Sequence, residues 1–198
     1  LDRDGTINHD RDDYVKSPEE WEPLPGALEA IARLNHAGWH VVIASNQSGL
    51  GRGLFDVASL NAMHEKLHKR LAAVGGRIDA IFYCPHTPEE GCDCRKPLPG
   101  LIKQIGERFD VALATIHMVG ASLTDLLTAQ NAGCVPHLVL TAPSGAVWTH
   151  GAPSETERIT GRADEFCQVV TQCRNVADTS LQVTGPVATD WMSKAQCF

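Results

Sequence analysis

From Pro25 to Leu140 the apolar positions switch repeatedly between two spacings. In PGALEAIARLNHAG, Leu28, Ile31 and Leu34 share one helical face, and Gly38 supplies the stop, because glycine enters the left-handed conformation without a Cβ clash. The run WHVVIAS is short and β-branched, which predicts a buried strand ending near Ser45. A glycine-rich stretch, NQSGLGRG, reads as a loop. A long helix is then predicted from Val57 to Val74, with Asp56 as N-cap and Leu60, Met63, Leu67, Leu71 and Val74 turned inward. Further strands are expected at AIFYC, IHMVG and PHLVL, and further helices at PGLIKQIGERF and LTDLLTAQNAG.

Strands alternating with helices at this rhythm predict an α/β fold, a Rossmann-like doubly wound parallel sheet with helices on both faces. Ligands on such sheets gather at the carboxyl ends of the strands. Here those ends are Leu1–Asp4, Ser45–Gln47, Cys84 onward, and Gly120–Asp125. The stretch LDRDGT reads as the end of a central strand whose body is expected before Leu1. Beyond Thr141 the periodicity fades, so the expected division is a domain over 1–142 and a loosely packed tail over 143–198. Within that tail only EFCQVVTQC suggests a short helix.

Composition narrows the function. Apolar residues at 43% and charged ones at 21% are ordinary for a globular chain. A net charge of -7 argues against a nucleic-acid groove, so any anion site has to be local. There is no apolar run of about 18 residues and no leader-like start, so no membrane span is expected. The seven cysteines are an odd number and unevenly spaced, which fits a reducing, cytoplasmic setting better than a disulfide framework.

Two constellations point to chemistry. Asp2 and Asp4 stand two apart at a strand end, followed by Gly5, where they can converge on one metal and one substrate atom. Carboxylates become nucleophiles for phosphoryl transfer when a divalent cation neutralises the charge on both partners. Ser45, Asn46 and Lys96 follow later strands, where a hydroxyl, backbone N–H groups and a point charge can hold phosphate oxygens. The loop CPHTPEEGCDCRKP is the sharper signal. Cys84, His86, Cys92 and Cys94 form C-x-H-x5-C-x-C, a tetrahedral zinc set with no open position, hence structural. It would pin a loop that delivers Arg95 and Lys96. HEKLH (His64 to His68) matches the zinc-protease pattern H-E-x-x-H, but the motif needs a third ligand and no candidate follows it.

The ordered set Asp2/Asp4, Ser45, Lys96, Asp125 resembles the haloacid dehalogenase superfamily of phosphatases, in a form without a large cap domain. With DRDGTIN, KSPEEW, PGALEAIARLNHAG, NQSGLGRG, the zinc loop and PHLVLT, the chain is similar, as far as Thr141, to the D-glycero-D-manno-heptose 1,7-bisphosphate 7-phosphatases. Histidinol-phosphate phosphatases share the zinc loop and are the runner-up.

The resemblance implies an enzyme of lipopolysaccharide-core biosynthesis, acting in the cytoplasm as a monomer on a phosphorylated sugar. Asp2 would be the nucleophile and Asp4 the acid/base, with Ser45 and Lys96 holding the phosphoryl group. Mg2+ would bind through Asp2, Asp4 and, in this chain, Asp125. Substrate contacts are expected from Asp10, Tyr14, Asn46, Gln47, Ser48, Arg52 and Arg95. The family's metal-binding aspartate just after Gly120 is here Ala121, and a methyl group cannot ligate a hard cation. Weaker magnesium binding and reduced turnover are therefore expected. A non-catalytic phosphosugar-binding relative stands as the alternative from another class.

Overall fold

The computed structural model describes residues 1–138, 158–160, 176–179, 181–186 and 188–189. The chain divides into two compact units, Leu1–Val139 and Leu140–Phe198. The first unit holds α1 (Ala27–His36), β1 (Val42–Asn46), a single helical turn α2 (Ser48–Gly51), α3 (Val57–Ala73) and β2 (Ala80–Cys84). It continues through α4 (Gly100–Phe109), β3 (His117–Gly120), α5 (Leu123–Ala132) and β4 (Val135–Leu138).

β1 pairs with β2 and β3 with β4, both in parallel. Leu1 and Asp2 run between the two pairs. The Leu1 nitrogen donates to Val42 O at 2.7 Å, Ala44 N donates to Leu1 O at 2.8 Å, and Asp2 N donates to Val119 O at 2.8 Å. The spatial order is therefore β2, β1, the Leu1–Asp2 segment, β3, β4. This places Asp2 and Asp4 at the centre of the row of strand ends.

Alternation along β1 builds two cores from one strand, since successive strand residues face opposite sides of a sheet. Ile43 joins Leu28 and Ile31 of α1 and Leu60, Met63, Leu67 and Leu71 of α3. Ala44 joins Leu101, Ile102 and Ile105 of α4, Met118 of β3 and Ala129 of α5. The four apolar residues of α3 are wholly buried, each contributing about 1.5–3 kcal/mol from apolar burial. α3 starts where its cap predicts: Asp56 accepts from Ser59 N at 2.8 Å.

Two expectations differ from the structure. NQSGLGRG is partly helical, because Gly49 and Gly51 allow α2 to pack tightly. A Cβ on Gly51 would lie 2.7 Å from Pro85 O. In the second unit, expected to be irregular, Arg158–Thr160 (β5) pairs antiparallel with Gln182–Thr184 (β6). Three-residue strands are too short for a period-2 pattern to register. The helix expected at EFCQVVTQC lies outside the described residues.

Candidate active site

The strand ends enclose a cleft of about 360 Å³ whose walls include Asp2, Asp4, Ser45 and Lys96. Four acidic residues (Asp2, Asp4, Asp10, Asp12) and four basic ones (Arg3, Arg11, Arg95, Lys96) line it. The pocket is thus locally balanced in a chain of net charge -7.

Lys96 is the pivot of the floor. Its Nζ lies 2.8 Å from Asp2 Oδ1 and donates to Asp125 Oδ1 at 2.6 Å. Burial works against the lysine's charge, but the two carboxylates hold its pKa above the ordinary value. The pKa of Asp2 is raised as well, because burial outweighs Lys96, and for a carboxyl that disfavours the charge. Asp2 Oδ1 also accepts from Arg3 N at 2.8 Å. Oδ2 receives no hydrogen bond among the described residues, which leaves it the oxygen available for chemistry.

Asp125 does not occupy the place expected of a magnesium ligand. Its Oδ1 faces Lys96, and its Oδ2 accepts from Ser122 Oγ at 2.6 Å and Ser122 N at 3.2 Å, closing a capping box on α5. Only 1% of it is exposed, and it stands behind the cleft wall. The packing explains why: a Cβ on Gly120 would sit 2.3 Å from Asp125 Cβ, so the carboxylate lies directly over the strand end. At the wall itself stand Ala121, Ser122 and Thr124.

Three consecutive polar residues at the end of β1, Ser45, Asn46 and Gln47, are engaged within the protein. Ser45 Oγ accepts from Gln47 Nε2 at 2.7 Å, and the same nitrogen donates to Asp4 Oδ2 at 2.8 Å. Asn46 donates to Lys96 O at 3.1 Å and accepts from Lys96 N at 3.0 Å. Both residues were expected to contact substrate. Both border the cleft, yet their amides are engaged within the protein, Asn46 aligning Lys96 and Gln47 tying Asp4 to Ser45.

The outer wall includes Asp10, Tyr14, Ser48 and Arg95 as expected, with Arg11 and Asp12 beside them. Burial raises the pKa of Asp10. Tyr14 adopts φ 69, uncommon for a bulky residue, and its hydroxyl lies 3.5 Å from Ser48 Oγ. Arg95 donates to His86 O at 3.3 Å, linking the wall to the cysteine loop. Arg52, expected at the substrate, is exposed just past α2 and lies outside the cleft wall. Sequence reasoning missed Arg3, Arg11 and Asp12, whose one signal was adjacency to Asp2, Asp4 and Asp10.

The cage ligand atoms of Cys84, His86, Cys92 and Cys94 all lie within 4.8 Å of one another. Cys84 Sγ is 3.6 Å from both His86 Nδ1 and Cys92 Sγ, and Cys94 Sγ is 3.3 Å from His86 Nδ1. Tetrahedral zinc, with Zn–S about 2.3 Å and Zn–N about 2.0–2.1 Å, sets such edges at about 3.5–3.8 Å, so the four residues fit a structural zinc ion. His64 and His68 join no such cluster among the described residues. The cleft floor also fits a cation: one lysine serves two carboxylates, leaving one negative charge in excess.

Residues 2–133 match the haloacid dehalogenase-like hydrolase family. A D-glycero-β-D-manno-heptose-1,7-bisphosphate 7-phosphatase of Bordetella bronchiseptica is 56% identical over 159 residues, covering 80% of this chain and 89% of the relative. Its counterpart in Pseudomonas aeruginosa is 52% identical over 153 residues, covering 77% and 85%. The crystal structure of a B. bronchiseptica D,D-heptose 1,7-bisphosphate phosphatase complexed with magnesium and phosphate superposes with TM-score 0.69. It is 61% identical and covers 70% of this chain and 77% of that one. With that coverage, and the paired carboxylates, lysine and cysteine loop already in view, the chain belongs to the haloacid dehalogenase-like hydrolases, in the branch of heptose bisphosphate phosphatases.

Proposed function

We propose that this phosphoric monoester hydrolase removes the C7 phosphate of D-glycero-D-manno-heptose 1,7-bisphosphate through an aspartyl-phosphate. The observation that carries the reading is the division of labour on Asp2: Oδ1 is held by Lys96 and the Arg3 amide, while Oδ2 is free at the cleft. Oδ2 attacks phosphorus, the P–O bond to C7 breaks, and Asp4 gives its proton to the departing alcohol. Asp4 then takes a proton from water as that water attacks the aspartyl-phosphate, releasing inorganic phosphate and restoring Asp2. Ser45 and Lys96 hold the phosphoryl oxygens throughout, and such electrostatic positioning supplies most of the rate in phosphoryl transfer. Arg11 and Arg95 at the outer wall are suited to the remaining phosphate, since a guanidinium grips phosphate oxygens in pairs.

Phosphatases of this family use Mg2+; here the Asp2 carboxylate and the Asp4 carbonyl would hold it, and it would neutralise charge between carboxylate and phosphate. Ala121 makes that binding weak, so turnover is slow. No helix among the described residues is long and apolar enough to cross a membrane. We place the reaction in the cytoplasm, with the enzyme acting as a monomer.

The test is phosphate release from the heptose bisphosphate, with 31P NMR reporting which phosphate leaves. Loss of the C7 signal with the C1 signal retained is expected. Asp2→Asn should abolish it, a fall of about 10⁴-fold or more, on the scale of removing other nucleophiles. Release that survives Asp2→Asn, or none from either the wild type or Ala121→Asp, overturns the reading.

A further inference from the structure

We propose that Arg3 is a positioning residue which, with Gln47, fixes the Asp4 carboxyl for proton exchange with the departing alcohol. The inference rests on the role given to Asp4 above. Arg3 is 1% exposed and lies between the two site carboxylates in sequence. Its Nε reaches Asp4 Oδ1 at 3.0 Å, and its Nη2 reaches Oδ1 at 2.8 Å and Oδ2 at 2.9 Å. This fork sets the plane of the carboxyl, which the point charge of a lysine would not do.

Two amides close the other side. Asn8 Nδ2 donates to Oδ1 at 2.9 Å and Gln47 Nε2 to Oδ2 at 2.8 Å. Asn8 is itself pinned by the buried Trp21, whose Nε1 donates to its Oδ1 at 3.0 Å. With N–H donors on both oxygens from two directions, the Asp4 carboxylate has one orientation, and Oδ2 takes up a proton when Gln47 Nε2, which also bonds Ser45 Oγ, releases it.

Arg3 Nη1 is buried with no hydrogen-bond partner among the described residues. Apolar side chains often replace a buried ion pair without loss of stability, so the pair is weak evidence of a role in folding. His64 of α3 lies within electrostatic reach of both Arg3 and Asp4, and burial first, then Arg3, lowers its pKa to about 4.

The test separates two esters by their leaving groups. The heptose bisphosphate releases an alkoxide that needs a proton, whereas p-nitrophenyl phosphate releases a phenolate that does not. Read in single turnover, before the shared aspartyl-phosphate hydrolyses, Arg3→Met should slow alcohol release from the sugar phosphate by about 10²-fold, part of what a general acid supplies, and leave p-nitrophenolate release nearly unchanged. Arg3→Lys should recover part of the loss. Gln47→Leu should show the same skew at smaller amplitude, and it keeps the test alive if Arg3→Met does not fold. Equal falls for both esters in the Arg3 and Gln47 variants, or no fall in either, overturn the proposal. An active wild type with an unskewed ratio removes only the role of Arg3. Inactivity of wild type and Ala121→Asp toward both esters removes the phosphatase reading and this one with it.

Discussion

The cysteine loop and the Gly120–Asp125 segment leave β2 and β3 at the same end of the sheet, on either side of β1 and the Leu1–Asp2 segment, and they differ in how they are held. Cys84, His86, Cys92 and Cys94 are all present, and their geometry depends on one another within eleven residues of chain. The loop after β3 relies on partners far along the chain. Asp125 answers to Lys96, 29 residues back, as well as to its neighbour Ser122, and Ala121 presents only a methyl group at the cleft wall. A cage whose ligands are local keeps its shape as a unit. A site assembled from distant strand ends can lose one member and keep the rest.

The largest expected effect restores what the second loop lacks. Ala121 lines the cleft, so in Ala121→Asp the new carboxylate enters open space beside Asp2. Mg2+ affinity should rise by about 100-fold or more, since even outer partners of metal ligands are worth 10–100-fold. Calorimetric titration with Mg2+ checks this alongside phosphate release, and an unchanged affinity would remove the contrast between the loops.

The next tests the cage. Cys94→Ser should cost the zinc ion, read by elemental analysis. A ligand present at about a thousand times its Kd stabilises by about 4 kcal/mol, or about 8–16 °C in Tm for a chain of this size. A variant that keeps its Tm and has no less zinc than the wild type would show that the cage does not hold the loop.

The smallest effect concerns His64 of α3, which takes no part in the cage. Its pKa is depressed in the fold from 6.5 to about 4. Between those values the unfolded chain binds a proton that the folded chain does not, so stability falls as pH drops from 6.5 toward 4. His64→Gln removes this term, and its Tm should fall less steeply than wild type over that range. Parallel Tm–pH curves would place the acid sensitivity elsewhere.

The main unit was legible in the sequence where one period ran long enough to dominate. Leu60, Met63, Leu67 and Leu71 mark α3 unambiguously because four buried positions repeat over three turns. The cage was legible because its chemistry is local. The turn at Ser48–Gly51 was not, since its two glycines favour helix only through close packing, of Gly49 on Phe55 and of Gly51 on Pro85 O. Nor were the partners of Asn46 and Gln47, because an amide gives no sign of whether it donates to a ligand or to its own protein. Asp125 was misplaced for a related reason. Spacing puts it one turn into α5, but only the missing Cβ of Gly120 shows that it packs down onto Lys96.

Gly120 and Ala121 are adjacent and obey different constraints. At 120 even a methyl group would displace Asp125 and, through it, Lys96, so selection for a folded chain and selection for a working site act there together. At 121 the side chain borders open space, and an aspartate can be exchanged for alanine with no packing lost. A substitution at 121 is therefore read out in the chemistry of the cleft, whereas one at 120 is read out in the folding of the wall as well.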